Sequence, residues 1–96
     1  MSLSGYINLK RKDLWVKRYA TVDIDERSFS YKGSASDSKI RHTIFLTDAK
    51  IKRAKSEYII YIEKGTNDVK SSTDGVRVSF TKNHQLEEWL KFLMNA

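Results

Sequence analysis

VRVSFTKNHQLEEWLKFLMNA, residues 76–96, changes its hydrophobic period once, and that change decides the fold. Val76, Val78 and Phe80 alternate with Arg77 and Ser79, the period of two that marks a half-buried strand. Beyond Lys82, the apolar residues Leu86, Trp89, Leu90 and Leu93 fall at i, i+3, i+4 and i+7, which sets one stripe along a helix. Asn83 is placed to cap that helix, and Glu87 and Glu88 lie toward the positive end of its dipole. A helix with a single apolar stripe needs a partner, and everything before it has the period of strands.

Working back from this switch, residues 58–63 (YIIYIE) form the most apolar strand, expected at the centre of the sheet. Further strands are expected at residues 49–53, 41–46, 28–32, 15–24 and 6–9. In the longest of them Val16, Arg18, Ala20, Val22 and Ile24 face one way, while Trp15, Lys17, Tyr19 and Thr21 face the other. Polar stretches at 10–14, 25–27, 33–38 and 65–75 separate the strands. The pattern predicts a mainly β chain with one helix: a seven-stranded bent antiparallel sandwich or partial barrel, capped at one end by the C-terminal amphipathic helix. Residues 5–96 are expected to form a single domain, and residues 1–4 a disordered leader or vector remnant.

Ninety-six residues leave room for one small core and no second. The absence of cysteine excludes disulfides, thiol nucleophiles and thiolate metal sites, and suits a reducing, cytoplasmic setting. Apolar runs are too short for a membrane-spanning helix or a secretory signal, and Ser2 stands where N-myristoylation needs glycine. His42 and His84 are far apart, and no cluster of His, Asp and Glu has metal spacing. Nor is there a Ser/His/Asp arrangement, a nucleophile elbow or a phosphate loop. The expectation is a non-catalytic protein with neither cofactor nor metal.

Charge is the strongest compositional signal. The chain carries a net +6, and its placement is uneven: residues 1–55 hold 13 basic and six acidic side chains, residues 56–96 five basic and six acidic. Such a field suits an anionic partner, whether a lipid headgroup, a membrane surface, an acidic protein or nucleic acid; an ordinary solvated lysine-rich surface is the plainer alternative. For nucleic acid, Tyr58, Tyr61, Phe80 and Trp89 are not interleaved with arginines along one strand, so they suit packing better than base stacking.

In this order of elements, several fragments resemble the pleckstrin homology (PH) family over residues 5–95. They are Gly5-Tyr6-Ile7, Trp15-Val16-Lys17-Arg18-Tyr19, Phe29-Ser30-Tyr31, Ile44-Phe45-Leu46 and the helix tryptophan Trp89. The resemblance implies a partial barrel with Trp89 packed over one end, and phosphate ligands at Arg18, Tyr31 and Arg41. It also implies cations at two positions held here by Leu9 and Val16, so the usual high-affinity phosphoinositide motif is broken.

The residues themselves refine this. Arg18 stands in the inward row of its strand, where an unpaired guanidinium is costly; it must meet water, an anion or an internal acid of residues 23–26. Lys10 and Lys17 alternate onto the outer face and, with Arg11 and Lys12, flank the first hairpin loop. Leu14, among these cations, is either a membrane-inserting side chain or packs on Trp15 or Tyr6. Lys50, Lys52, Arg53 and Lys55 form a second basic cluster, read as a solvated strand face that also orients the domain on a membrane. The expected sites are therefore Lys10, Arg11, Lys12, Lys17, Arg18, Tyr31 and Arg41 for lipid phosphate, with Leu14 at the bilayer. The expected function is membrane targeting in signalling, through phosphoinositide or phosphatidic acid headgroups at the first hairpin loop. The alternative is a protein-interaction module that binds a peptide or acidic partner.

Overall fold

In the computed structural model, which describes residues 1–54 and 58–96, the chain forms β1 (Ser2–Arg11), β2 (Leu14–Asp23), β3 (Ser28–Lys32), β4 (Ile40–Phe45), β5 (Lys50–Arg53), β6 (Ile59–Glu63), β7 (Gly75–Ser79) and α1 (Asn83–Met94). The strands lie in one antiparallel sheet in the order β4-β3-β2-β1-β7-β6-β5. Lys55, counted in the second basic cluster, lies outside the described residues.

The middle of this order belongs to β1, not to β6 as its apolar sequence suggests. β6 is apolar because Ile60 and Ile62 go to the core, while Ile59 and Tyr61 are half-covered on the other face. β1 pairs with β2 along its whole length, from Ser2↔Asp23 to Arg11↔Leu14. The first hairpin loop is thus two residues, Lys12 and Asp13, rather than the five of the 10–14 stretch. Lys12 makes the tight turn in the left-handed region, at φ 55°.

Alternate residues of each strand point inward. Ile7 and Leu9 of β1, Ala20 and Val22 of β2, Phe29, Ile44, Ile60, Ile62 and Val78 are all buried. From α1, Leu86, Trp89 and Leu93 join them. The Trp89 ring lies 6.0 Å from that of Phe80, and its Cζ2 passes 3.7 Å from where a Cβ on Gly5 would stand. The helix so plugs the end of the sheet from which β1 starts. Burying each such side chain is worth about 1.5–3 kcal/mol.

Asn83 does not cap the helix. Lys82 holds the cap position without a side-chain bond, and Asn83 Oδ1 instead accepts Arg53 Nη2 at 2.9 Å. Arg53 also pairs with Glu87, so a cation of the second basic cluster ties β5 to the helix and is not a free surface charge.

No strand pairs β4 with β5, and the sheet is not closed. The loop between β6 and β7 covers the free edge of β4 instead. Ser72 N–H donates to Thr43 O at 3.1 Å, Thr43 N–H donates to Ser72 Oγ at 2.9 Å, and Phe45 N–H donates to Ser71 Oγ at 2.9 Å. Two serine hydroxyls stand in for the carbonyls of a missing strand, which also shields the edge from pairing with another chain. The loop starts at Gly65, which is packed so closely on the chain at Asp48 that a side chain has no room. An added Cβ would stand 2.6 Å from Asp48 Cβ and 2.9 Å from Asp48 O. Gly65→Ala should cost about 1–3 kcal/mol, which for a domain of this size lowers the thermal midpoint by about 4–8 °C per kcal/mol. A melt that leaves the midpoint unchanged would contradict this packing.

Candidate anion-binding site

The end opposite α1 stays open because the inward rows change character there. On β1 the row that reads Ile7 and Leu9 ends in Arg11, and on β2 Arg18 stands opposite Ile7. On β3 and β4, Tyr31 and His42 are cross-strand neighbours, their rings 5.6 Å apart. Together these side chains line a cavity of about 590 Å³. Thr73, Gly75 and Val76 form the wall contributed by the serine-stitched loop and the start of β7. Five cations, Lys10, Arg11, Arg18, Lys39 and Arg41, surround it, with one carboxylate, Asp37.

Arg18 is half-buried, and Nη1 donates to the Lys17 carbonyl at 2.8 Å. Among the described residues no carboxylate pairs with it, so the acids of residues 23–26 do not neutralise it. They lie toward the plugged end, where β2 leads away from the mouth. The convergence of charge registers on Tyr31. Desolvation raises the pKa of its phenol above the ordinary 10.0, and Arg11, Arg18 and Arg41 each act in the opposite direction. Three guanidiniums around one hydroxyl form a donor set suited to phosphate oxygens.

Of the residues expected from sequence, Lys10, Arg11, Arg18, Tyr31 and Arg41 meet at this cavity. Lys12 and Lys17 do not. Lys12 borders a second depression with Tyr61, Glu63 and Arg77, and Lys17 Nζ lies 4.9 Å from the ring centroid of Tyr6 on the outer face. Leu14 is 69% exposed at the hairpin beside Trp15, itself 41% exposed. Sequence reasoning missed Lys39, His42 and Asp37. Lys39 and His42 flank Arg41 in the run KIRH, a signal available in the sequence; Asp37 had none, being one acid in a serine-rich loop.

The outer face has its own order. Lys10 lies 5.7 Å from the Trp15 centroid, Lys32 5.6 Å from Tyr19, and the Arg77 guanidinium 4.7 Å from Tyr61. Cations and aromatics are therefore interleaved across neighbouring strands, and along β2 as Trp15, Lys17 and Tyr19. Lys52 continues the row opposite Tyr61.

The wall loop is held by Asp68. Its carboxylate accepts the Ser71 hydroxyl and the N–H groups of Lys70 (2.8 Å) and Ser71 (3.0 Å). These bonds, the hydroxyl first, and the charge of Lys64 hold its pKa below the ordinary 3.8 against the opposing effect of desolvation. A depressed carboxylate adds stability above its unfolded pKa and loses it as the pH falls through the folded value. Acid titration should show Asp68 titrating below 3.8, with the amides of Ser71 and Phe45 losing protection in that same window. Ser71→Ala should move the midpoint up toward 3.8; a wild-type midpoint at or above it would overturn the bonding described.

No protein-family model matches the sequence, and no curated protein matches it. Solved structures do match its fold. The PH domain of human KIAA0053 protein superposes with a TM-score of 0.78 at 20% identity, over 95% of this chain and 83% of that one. The carboxyl-terminal PH domain of pleckstrin gives a TM-score of 0.79 at 16% identity, covering 96% and 92%. The same pleckstrin domain in complex with D-myo-Ins(1,2,3,5,6)P5 gives 0.74 at 16% identity, covering 98% and 90%.

Proposed function

We infer that this chain, which has the fold of a pleckstrin homology domain, is a non-catalytic module that brings its protein to anionic membrane by binding a phosphoinositide or phosphatidic acid headgroup. The observation that carries this is the cavity at the open end, where five cations and Tyr31 face about 590 Å³ of space. The inositol phosphate complex of the pleckstrin domain supports the ligand class. Arg11, Arg18 and Arg41 favour the inward cavity over the outer side of the hairpin as the headgroup site. Lys10 borders the cavity and also caps Trp15, so it belongs to both surfaces.

Around that site, Leu14 and Trp15 supply apolar contact with the bilayer, and Lys12, Lys17 and Arg77 supply charge. Each cation near an anionic leaflet adds roughly 1 kcal/mol, so the outer face alone gives weak, salt-sensitive attraction. The headgroup cavity supplies selectivity. Among the described residues no helix is long and apolar enough to cross a membrane, and attachment on this reading is peripheral, at the cytoplasmic leaflet. A peptide-binding role is less well supported. Such a role commonly adds a strand to a free sheet edge. Here β4 is taken by serines at Thr43 and Phe45, and β5 is four residues long with Lys50, Lys52 and Arg53 blunting it.

Vesicle sedimentation tests the reading. The protein should pellet at low salt with phosphatidylcholine vesicles that contain a phosphoinositide or phosphatidic acid, and not with phosphatidylcholine alone. Arg18→Glu should weaken binding to the preferred lipid about ten- to a hundredfold and erase the preference. Leu14→Asp should weaken binding to all anionic vesicles about tenfold. Failure to pellet with any anionic vesicle at low salt would overturn membrane binding. A larger loss of selectivity from Lys17→Glu, which lies on the outer face alone, than from Arg18→Glu would move the headgroup to the outer face.

A further inference from the structure

Asp37 is an acid inside a site built for anions. It does not stray there by chance of a mobile side chain. Its N–H donates to Ser34 O at 3.1 Å, its Oδ1 accepts Lys39 N–H at 3.1 Å, and the loop is pinned where Ala35 N–H donates to the Tyr6 hydroxyl at 3.0 Å. On the far side, Asp37 Oδ2 and Arg41 Nη2 both come within 3.1 Å of the point where a Cβ on Gly33 would stand. The two groups do not form an ion pair with each other, so an acceptor held by the loop and the exposed guanidinium of Arg41 face the same small space across the glycine. A carboxylate has about four lone-pair sites, and the loop's own N–H groups leave some of them free for a ligand.

We propose that Asp37 selects the ligand of this cavity, accepting a hydrogen bond from a free hydroxyl next to the phosphate that Arg41 binds and rejecting a phosphate at that hydroxyl's position. The ligand class is then a polyol phosphate of low charge with vicinal hydroxyls free, such as a sparsely phosphorylated inositol ring. The inference rests on the cavity being the headgroup site. It explains why the mouth carries a carboxylate at all, since one serving only to bind phosphate is better without it. A hydroxyl donates to Asp37 while the neighbouring phosphate oxygens accept from Arg41; two adjacent phosphates would set one of them against a carboxylate with no proton to share. The ionised form needed for this is favoured by the Lys39 and Gly33 N–H groups and by the charges of Arg41 and Lys32, which together outweigh desolvation.

Calorimetric titration with two soluble probes tests it: an inositol bisphosphate, which keeps hydroxyls free, and inositol hexakisphosphate, which has none. In Asp37→Ala, the bisphosphate should bind about three- to tenfold more weakly and the hexakisphosphate about tenfold more tightly. A plain charge effect predicts the same sign for both, so tighter binding of the bisphosphate would overturn the proposal, as would unchanged ratios. Asp37→Asn keeps an oxygen for Lys39 N–H and guards against loop collapse; it should tighten the hexakisphosphate by a similar factor and leave the bisphosphate within about twofold. If wild type binds neither probe, the cavity reading fails and this inference with it. If wild type binds through Arg18 but Asp37 variants keep the wild-type ratio, this inference alone fails.

Discussion

A guanidinium in a core-facing row governs the rest of this molecule. Arg18 follows the same inward alternation as Ala20 and Val22, which are fully buried, and stands opposite Ile7. A charge there cannot be enclosed without a partner, because desolvating it costs several kcal/mol. Among the described residues no acid supplies that partner. The barrel therefore has two unlike ends. Trp89 and the helix close one with apolar surface, and the other stays open so that Arg18 meets water or an anion. The site is thus a consequence of how the core ends.

An open mouth has a structural cost, since the sheet that surrounds it has a free edge at β4. The serine hydroxyls of the β6–β7 loop meet that cost with hydrogen bonds to Thr43 and Phe45, each worth about 1 kcal/mol net. The same loop walls the cavity at Thr73 and Gly75, and Ser72 also meets His42 Nδ1 at 3.2 Å. Edge protection and site assembly are one set of bonds. Anything that loosens the loop acts on both, which makes the site's geometry sensitive to positions as remote as Asp68 and Gly65.

The sequence reveals what depends on periodicity. Strand β3 has the expected bounds, the alternation of β2 places Arg18 inward, and the helix stripe finds Leu86, Trp89 and Leu93. It hides what depends on which strands become neighbours. β6 is apolar on both faces yet lies beside an edge strand, because its outer residues are shielded by side chains such as Arg77, not by a central position. Asn83 has the right type for a cap but is drawn to Arg53, from a strand 30 positions away in sequence. The cation–ring pairs themselves join neighbouring strands, although the alternation of Trp15, Lys17 and Tyr19 on the outer face of β2 is visible in the sequence. Among the candidate site residues, Arg18 could be read from position and charge, and Arg41 from the family resemblance. Asp37 could not, since its place at the cavity depends on the shape of a turn.

The two basic surfaces differ in what they do with charge. On the outer face Lys10, Lys17, Lys32 and Arg77 each cover an aromatic ring. Such a pair is worth about 0.5–1 kcal/mol at an exposed site and costs the cation little of its hydration. It presents an amphipathic unit, with a ring for the interfacial layer and a charge for the phosphates above it. In the cavity, by contrast, the guanidiniums line one space, so their field is concentrated there. On the proposed reading, broad attraction and narrow selection fall to opposite faces of the same strands. Lys10, at the rim of one and over the ring of the other, is where they join. On the same reading, a headgroup in the cavity would hold the outer face against the bilayer at high effective concentration, and neither surface would have to be strong alone.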